Sequence, residues 1–352
     1  MNISNENIRL SLAISWMRFP LIFMIVLLHC YCAIDAYNHP LYFKLVYPWG
    51  LWLGETGVPA FFFISGFLFF LSQKTYSQKI LSRVSSLFIP YLFWNGLILV
   101  VYIILDRFVH PIFLVDKAIS NYNIIDYFRA FIDRGDWNNG NGVPLLCPFW
   151  YIRNLMILCI LSPLLYYIIR YLKWLFILLL FGWWITIPYN GMLASSLLFF
   201  CLGAYFSIQQ INPLKIVTER HVLFLTIWAT LFFFDWTSHS ILPLYHGLYI
   251  HRLSIVFNIF MLFLLGSYWG DNNYKGKDIL NKSSFWIYAV HYPLTIVVKK
   301  ISAYFIVYLQ DWQVLGFYFL SVICVTAICV FSYMISNKLY PQFLSIITGN
   351  RT

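Results

Sequence analysis

The chain has 352 residues, 61% of them hydrophobic, 21% aromatic and only 10% charged. A water-soluble domain carries about 25% charged residues, so this chain has too little polar surface to cover itself in water. Its long continuous apolar runs, rather than alternating ten-residue segments, exclude a β-barrel. The net charge of +10 falls mostly in short segments between apolar runs, where it reads as membrane orientation and attraction to anionic lipid. No basic helix or aromatic–basic groove points to nucleic acid.

The expectation is an all-α polytopic membrane protein, one domain over residues 1–352 with about ten transmembrane helices in one bundle. The spans fall near 14–34, 57–72, 86–106, 149–169, 173–188, 192–208, 221–236, 253–270, 284–305 and 314–337. The fifth to seventh are short. Pro163, Pro188 and Pro293 are placed to kink or end their helices. The first run is too long for a signal-peptide core, and no convincing cleavage site follows, so it reads as a retained span. No internal repeat of the kind common in transporters is evident.

Fourteen of the 23 Lys and Arg residues fall on one side of these spans, against Lys44, Arg252, Lys299 and Lys300 on short segments of the other. The bias puts both termini in the cytoplasm. Arg18 then lies near the cytoplasmic face and His29 in the outer half. The loop 107–147 is external, and its stretch DRGDWNNGNG reads as a solvated turn.

Arg18 and His29 lie eleven positions apart on the first span. At 100° per residue that is about 1100°, roughly 20° past three turns, so both share one stripe about 16 Å long. Ionisable side chains inside a span are costly and usually serve a function. A neutral histidine can take a proton from a hydroxyl, and a guanidinium pairs with phosphate. The blander readings are a histidine bonded to a neighbouring helix and an arginine reaching the headgroups. Glu55, at the outer mouth of the second span, is placed to orient His29 as a carboxylate does in a triad. Ser65 and Gly66 interrupt an aromatic run, and let either another helix or a thin ligand chain approach the backbone.

Lys79 and Arg83 are four apart and share a face if helical, serving as a phosphate patch or as positive-inside anchors. Trp150 and Tyr151 open the fourth span as interfacial aromatics or as a stacking surface for a sugar, and Arg153 offers a cation for an acidic acceptor. Tyr288 and His291 lie together in the ninth span, where catalysis and a satisfied polar contact are both open readings. His239, His246 and His251 are spaced by seven and five, which fits no single helical metal face. They read as solvated, and no metal is expected. The seven cysteines include no CxxC and read as small buried hydrophobes.

Together these segments resemble the bacterial acyltransferase family 3, membrane enzymes of about ten spans. The resemblance covers nearly the whole chain. An arginine and a histidine separated by ten residues on the first helix are matched by Arg18 and His29. The FF-x-x-SGF of the second helix is matched by Phe62, Phe63, Ser65, Gly66 and Phe67. A basic segment ending in proline is matched by Arg83 to Pro90, the aromatic opening of a mid-chain helix by Trp150 and Tyr151, and a late S-x-x-I-Y-x-x-H by Ser284, Ile287, Tyr288 and His291. The chain departs in having Gly57, Val58, Pro59 and Ala60 before the phenylalanines, where many members read G-V-D. This variant resembles the branch acting on surface polysaccharides and their lipid-linked precursors. Arg153 is outside the common pattern, and the hydrolase-like domain fused to some members is not found in these residues.

The resemblance implies an acyl-CoA-dependent O-acyltransferase (transferring groups other than amino-acyl groups) in the bacterial inner, or cytoplasmic, membrane. Acetyl-CoA or another acyl-CoA is then the donor substrate, and a glycan or lipid-linked sugar the acceptor, among membrane lipids. CoA phosphates would rest near Arg18, Lys79 and Arg83, the thioester arm would pass Ser65 and Gly66, and His29 would act as general base or carry the acyl group. Two rival readings are a transporter or flippase for a lipid-linked sugar and a non-enzymatic subunit of a polysaccharide synthase.

Overall fold

The fold is that of a computed structural model, which describes residues 3–34, 39–109, 113–114, 117–134, 142–187, 191–241, 244–271 and 277–350. Each of the ten expected segments carries a helix. These are α1 (Ile3–Ala33), α3 (Gly57–Leu71), α5 (Ile89–Phe108), α7 (Trp150–Leu172), α8 (Trp174–Thr186), α9 (Met192–Ile208), α11 (His221–Ile241), α12 (Leu244–Asp271), α13 (Lys277–Phe305) and α14 (Asp311–Leu339). Five shorter helices join them: α2 (Pro40–Tyr47), α4 (Tyr76–Arg83), α6 (Ile124–Ala130), α10 (Pro213–Glu219) and α15 (Pro341–Ile347). Among the described residues the strands are a two-residue antiparallel pair, Phe113–Leu114 with Lys117–Ala118.

Eight helical runs among the described residues are long and apolar enough to cross a membrane, and α9 with α10, bent by 86°, makes a ninth. The fifth expected span, α8, has 13 residues and falls short of the roughly 20 that a bilayer asks for. Large side chains exposed along α5, α7 and α14, such as Val100, Ile104, Ile160, Leu164, Ile323 and Phe331, are apolar, as a lipid-facing surface requires. The chain is a multi-pass membrane protein.

Pro163 and Pro293 end no helix; both lie inside α7 and α13. Pro188 lies outside the described residues. The second span begins earlier than expected. The apolar run extends from Lys44 to Leu71, through a π-helical turn (Pro48–Leu53) and a 3-10 turn (Gly54–Thr56) into α3. Pro48, Gly50 and Gly54 look like breakers in sequence, but the chain keeps winding by changing helix type. Glu55 is therefore inside a span rather than at its mouth.

α1 is the hub, packed on α3, α12, α13, α14 and the turns before α3. The closest helix pair is α3 with α9. A β-carbon built on Gly66 would meet the Phe200 carbonyl at 2.1 Å, and one on Gly203 would meet the Phe63 carbonyl at 2.0 Å. Bare backbone on both sides is what lets the axes approach. At the start of α2, the His39 ring bonds Asp311 at 2.9 Å and the Ile306 carbonyl at 3.1 Å, and Asp311 also accepts the Leu41 amide. One carboxylate thus ties α2 to α14.

The segment after α5 is only partly the solvated loop expected. Ile119, Ala130 and Leu145 form a small second core against Ile98, Leu99 and Tyr102. Residues 142–146 and 148–149 are buried, and the Leu146 amide donates to the Asn95 side chain at 3.0 Å. Non-helical backbone at membrane depth is tolerated only where protein supplies its partners. The middle of the polar stretch, residues 135–141, lies outside the described residues.

Candidate active site

His29 and His291 come together. Their ring centroids are 5.1 Å apart, and Tyr292 presents an edge to His29 at 5.3 Å. The two helices that carry them, α1 and α13, are joined only by folding. His29 itself is half-buried. The Nδ1 of His291 donates to the Ile287 carbonyl at 2.9 Å. A neutral ring bonded in this way carries its lone pair on Nε2. That atom is buried and has no hydrogen-bond partner among the described residues. A buried acceptor left unpaired is expensive, and here it lies beside another imidazole.

From this pair a line of aromatic and polar groups leads away through α13, α7 and α3. Tyr288 lies 6.3 Å from His291, and Tyr151 meets Tyr288 edge-on at 6.1 Å. The Tyr288 hydroxyl donates to the Pro148 carbonyl, and its ring stacks on Phe149 at 5.2 Å. The Tyr151 hydroxyl and Ser65 Oγ are 3.0 Å apart, and Phe62 packs on Tyr151 at 4.6 Å and on Trp150 at 6.0 Å. One turn further along α3, on the same face, is Phe69. Lys79 lies 5.1 Å from that ring and Arg83 5.8 Å. The α4 segment is helical, as their spacing required, and both cations converge on one aromatic face.

The stripe between Arg18 and His29 is not polar throughout. Ile22 and Ile25 lie on it and are 1% and 2% exposed, so packed apolar side chains fill its middle, while Arg18 itself is exposed. The expected polar path along α1 is corrected accordingly: the polar groups that reach His29 come by way of α3, α7 and α13.

Three other expectations are also corrected. Gly66, expected to admit a ligand arm, admits α9 instead. Arg153, expected to bind an acidic acceptor, is used by the fold. Its Nη1 donates to the Ile132 and Gly142 carbonyls at 2.5 and 2.8 Å, and its Nε and Nη2 donate to Asn154. Glu55, expected to orient His29, bonds His251 Nε2 at 3.0 Å.

His251, read as solvated, is buried. Its Nδ1 bonds Asp235 at 2.9 Å, and the Tyr47 hydroxyl donates to the same carboxylate at 3.1 Å. Next to it, buried Arg252 donates to the Trp184 and Ile185 carbonyls. The helix α12 begins nine residues before the expected eighth span, so His251 and Arg252 are in-span ionisable groups. That signal, together with Asp235 inside the seventh span, was available in the sequence. His239 and His246 have no described side chains.

No solved structure matches the chain. It is 26% identical over 330 residues to the succinoglycan biosynthesis protein ExoH of Rhizobium meliloti (strain 1021), covering 86% of this chain and 82% of that protein. A family model described as an acyltransferase domain matches residues 11–334, a range that takes in His29, Ser65, Tyr151 and His291. The chain belongs to this acyltransferase family.

Proposed function

We propose that the protein moves an acyl group, acetyl in the simplest case, from cytoplasmic acyl-CoA to a hydroxyl of a surface polysaccharide or its lipid-linked precursor. The similarity to a succinoglycan biosynthesis protein supports a glycan acceptor. The observation that carries the reading is the His29–His291 pair, with an unpaired buried ring nitrogen on His291.

In this reading His291 Nε2 accepts an N–H from His29. The 5.1 Å centroid spacing suits such a contact after a small ring rotation, and His291 then takes the orienting role that Glu55 was expected to play. The other nitrogen of His29 takes the proton of the acceptor hydroxyl as the oxygen attacks the thioester carbonyl. The new C–O bond forms, the C–S bond breaks, and the proton passes from His29 to the departing thiolate. Lys79 and Arg83, with Arg18 as a further cation, hold the donor's phosphates. The acyl arm passes Phe69, Ser65 and Tyr151. Both termini are cytoplasmic in the inner membrane.

The test compares surface glycans by mass spectrometry in cells with the protein, without it, and with His29→Ala. The expected result is an added acyl mass, such as 42 Da for acetyl, only with the unchanged protein. Identical glycans in all three would overturn the reading.

A further inference from the structure

The Glu55–His251–Asp235 chain is not used by the chemistry above, and its composition calls for an explanation. Three ionisable side chains from separate elements meet inside the spans. A purely architectural contact there costs less when made from neutral groups. The imidazole can donate at both nitrogens only as imidazolium, so the unit is a cation held between two carboxylates.

Its two ends differ. The Asp235 side chain is 2% exposed, while that of Glu55 is 41% exposed. The buried end fixes the ring, the ring fixes Glu55, and Glu55 keeps its remaining oxygen available to a ligand.

Glu55 is at the depth of His29. A β-carbon on Gly54 would meet the Leu28 Cβ at 2.8 Å and its backbone nitrogen at 3.2 Å, so the residue before Glu55 rests on the residue before His29. Cys32, one turn above His29 on the same stripe, is exposed and lies within electrostatic range of both Glu55 and Lys299. His29, Cys32 and Glu55 thus lie near one another at the C-terminal part of α1, none of them fully covered by protein.

We propose that Glu55, held by the His251–Asp235 pair, is the acceptor subsite and binds two neighbouring hydroxyls of a sugar beside His29. This rests on the acyltransfer reading. A carboxylate oxygen has two lone pairs, so the one not bonded to His251 accepts two hydroxyl protons at once. A carboxylate locked by a buried partner loses little freedom when the sugar arrives. Asp235 and His251 are positioning residues that act through Glu55.

The test uses the purified full-length protein in liposomes, labelled acetyl-CoA, and glycolipid extracted from cells lacking the protein. In Glu55→Gln, the amount of extract giving half-maximal transfer rises at least tenfold. In Asp235→Asn it rises about threefold or more. In both, half-saturating acetyl-CoA stays within twofold. If Glu55→Gln fails to accumulate, Glu55→Asp, which withdraws the carboxylate from His251, is expected to show the same split. An unchanged extract requirement, or a parallel shift for both substrates as a merely structural role would give, overturns the assignment. If the unchanged protein transfers no label to the extract, the acyltransfer reading falls and takes this one with it.

Discussion

Ser65 Oγ and the Tyr151 hydroxyl lie 3.0 Å apart, joining the middle of α3 to the first turn of α7. The pair stands between the cations over Phe69 and the histidines of α1 and α13. Tyr151→Phe keeps the ring contacts with Phe62 and Tyr288 and removes only the hydroxyl. A lost hydrogen bond of this kind costs about 0.5–1.5 kcal/mol. The expected fall in kcat/KM for acetyl-CoA is therefore roughly 3- to 10-fold, read from initial rates of label transfer. A value equal to that of the unchanged protein would remove the pair from the donor route.

His29→Ala is expected to lower turnover by at least about 10²-fold while insertion persists. His291→Ala should lower it less, about 10- to 100-fold, because it acts by orienting His29. The double variant should then be no worse than His29→Ala alone, since residues acting as a unit are not additive. Multiplied losses in the double variant would show that His291 works independently.

Arg18→Ala, Lys79→Ala and Arg83→Ala are each expected to raise half-saturating acetyl-CoA by about 10- to 150-fold, the loss of a charge-assisted bond of about 1.5–3 kcal/mol, with kcat little changed. Titrating the donor at fixed acceptor reads this directly. No shift in a given variant would return that residue to the role of a membrane-orienting anchor.

Gly66→Ala tests packing. Its new methyl group would fall 2.1 Å from the Phe200 carbonyl, so α3 and α9 must part. Overpacking of this kind costs about 1–3 kcal/mol, seen as a lower midpoint of thermal unfolding in detergent. Leu161→Ala, at an exposed position on α7, is the control expected to change little. Equal midpoints would show that the helices separate freely.

Arg153→Ala should loosen the outer cap without altering acceptor affinity, because the guanidinium is already spent on the Ile132 and Gly142 carbonyls. Externally added trypsin should cut at Arg129 or Arg134 several-fold faster. A raised acceptor requirement with unchanged proteolysis would restore the binding role expected from its charge.

The helices were legible because each apolar run is long and the lipid demands helix. The meeting of Tyr288, His291 and His29 was legible as a set of buried polar residues, though not as a contact. Glu55 and His251 are 196 positions apart, and no local pattern pairs them. His251 shares no helix face with His239 and His246, and its partners are carboxylates on distant elements. The apolar run that starts at 253 places His251 and Arg252 just before it, where charge carries no message. Gly66 illustrates the converse, since a small residue announces that something comes close but not what.

The brevity of α8 bears on where its chain end is satisfied. Thirteen residues rise about 20 Å, some 10 Å less than a typical hydrocarbon layer. Its final carbonyls at Trp184 and Ile185 have no need of headgroups, because Arg252 brings donors to them from within the bundle. A helix too short to reach both water layers is thus closed at this end by protein.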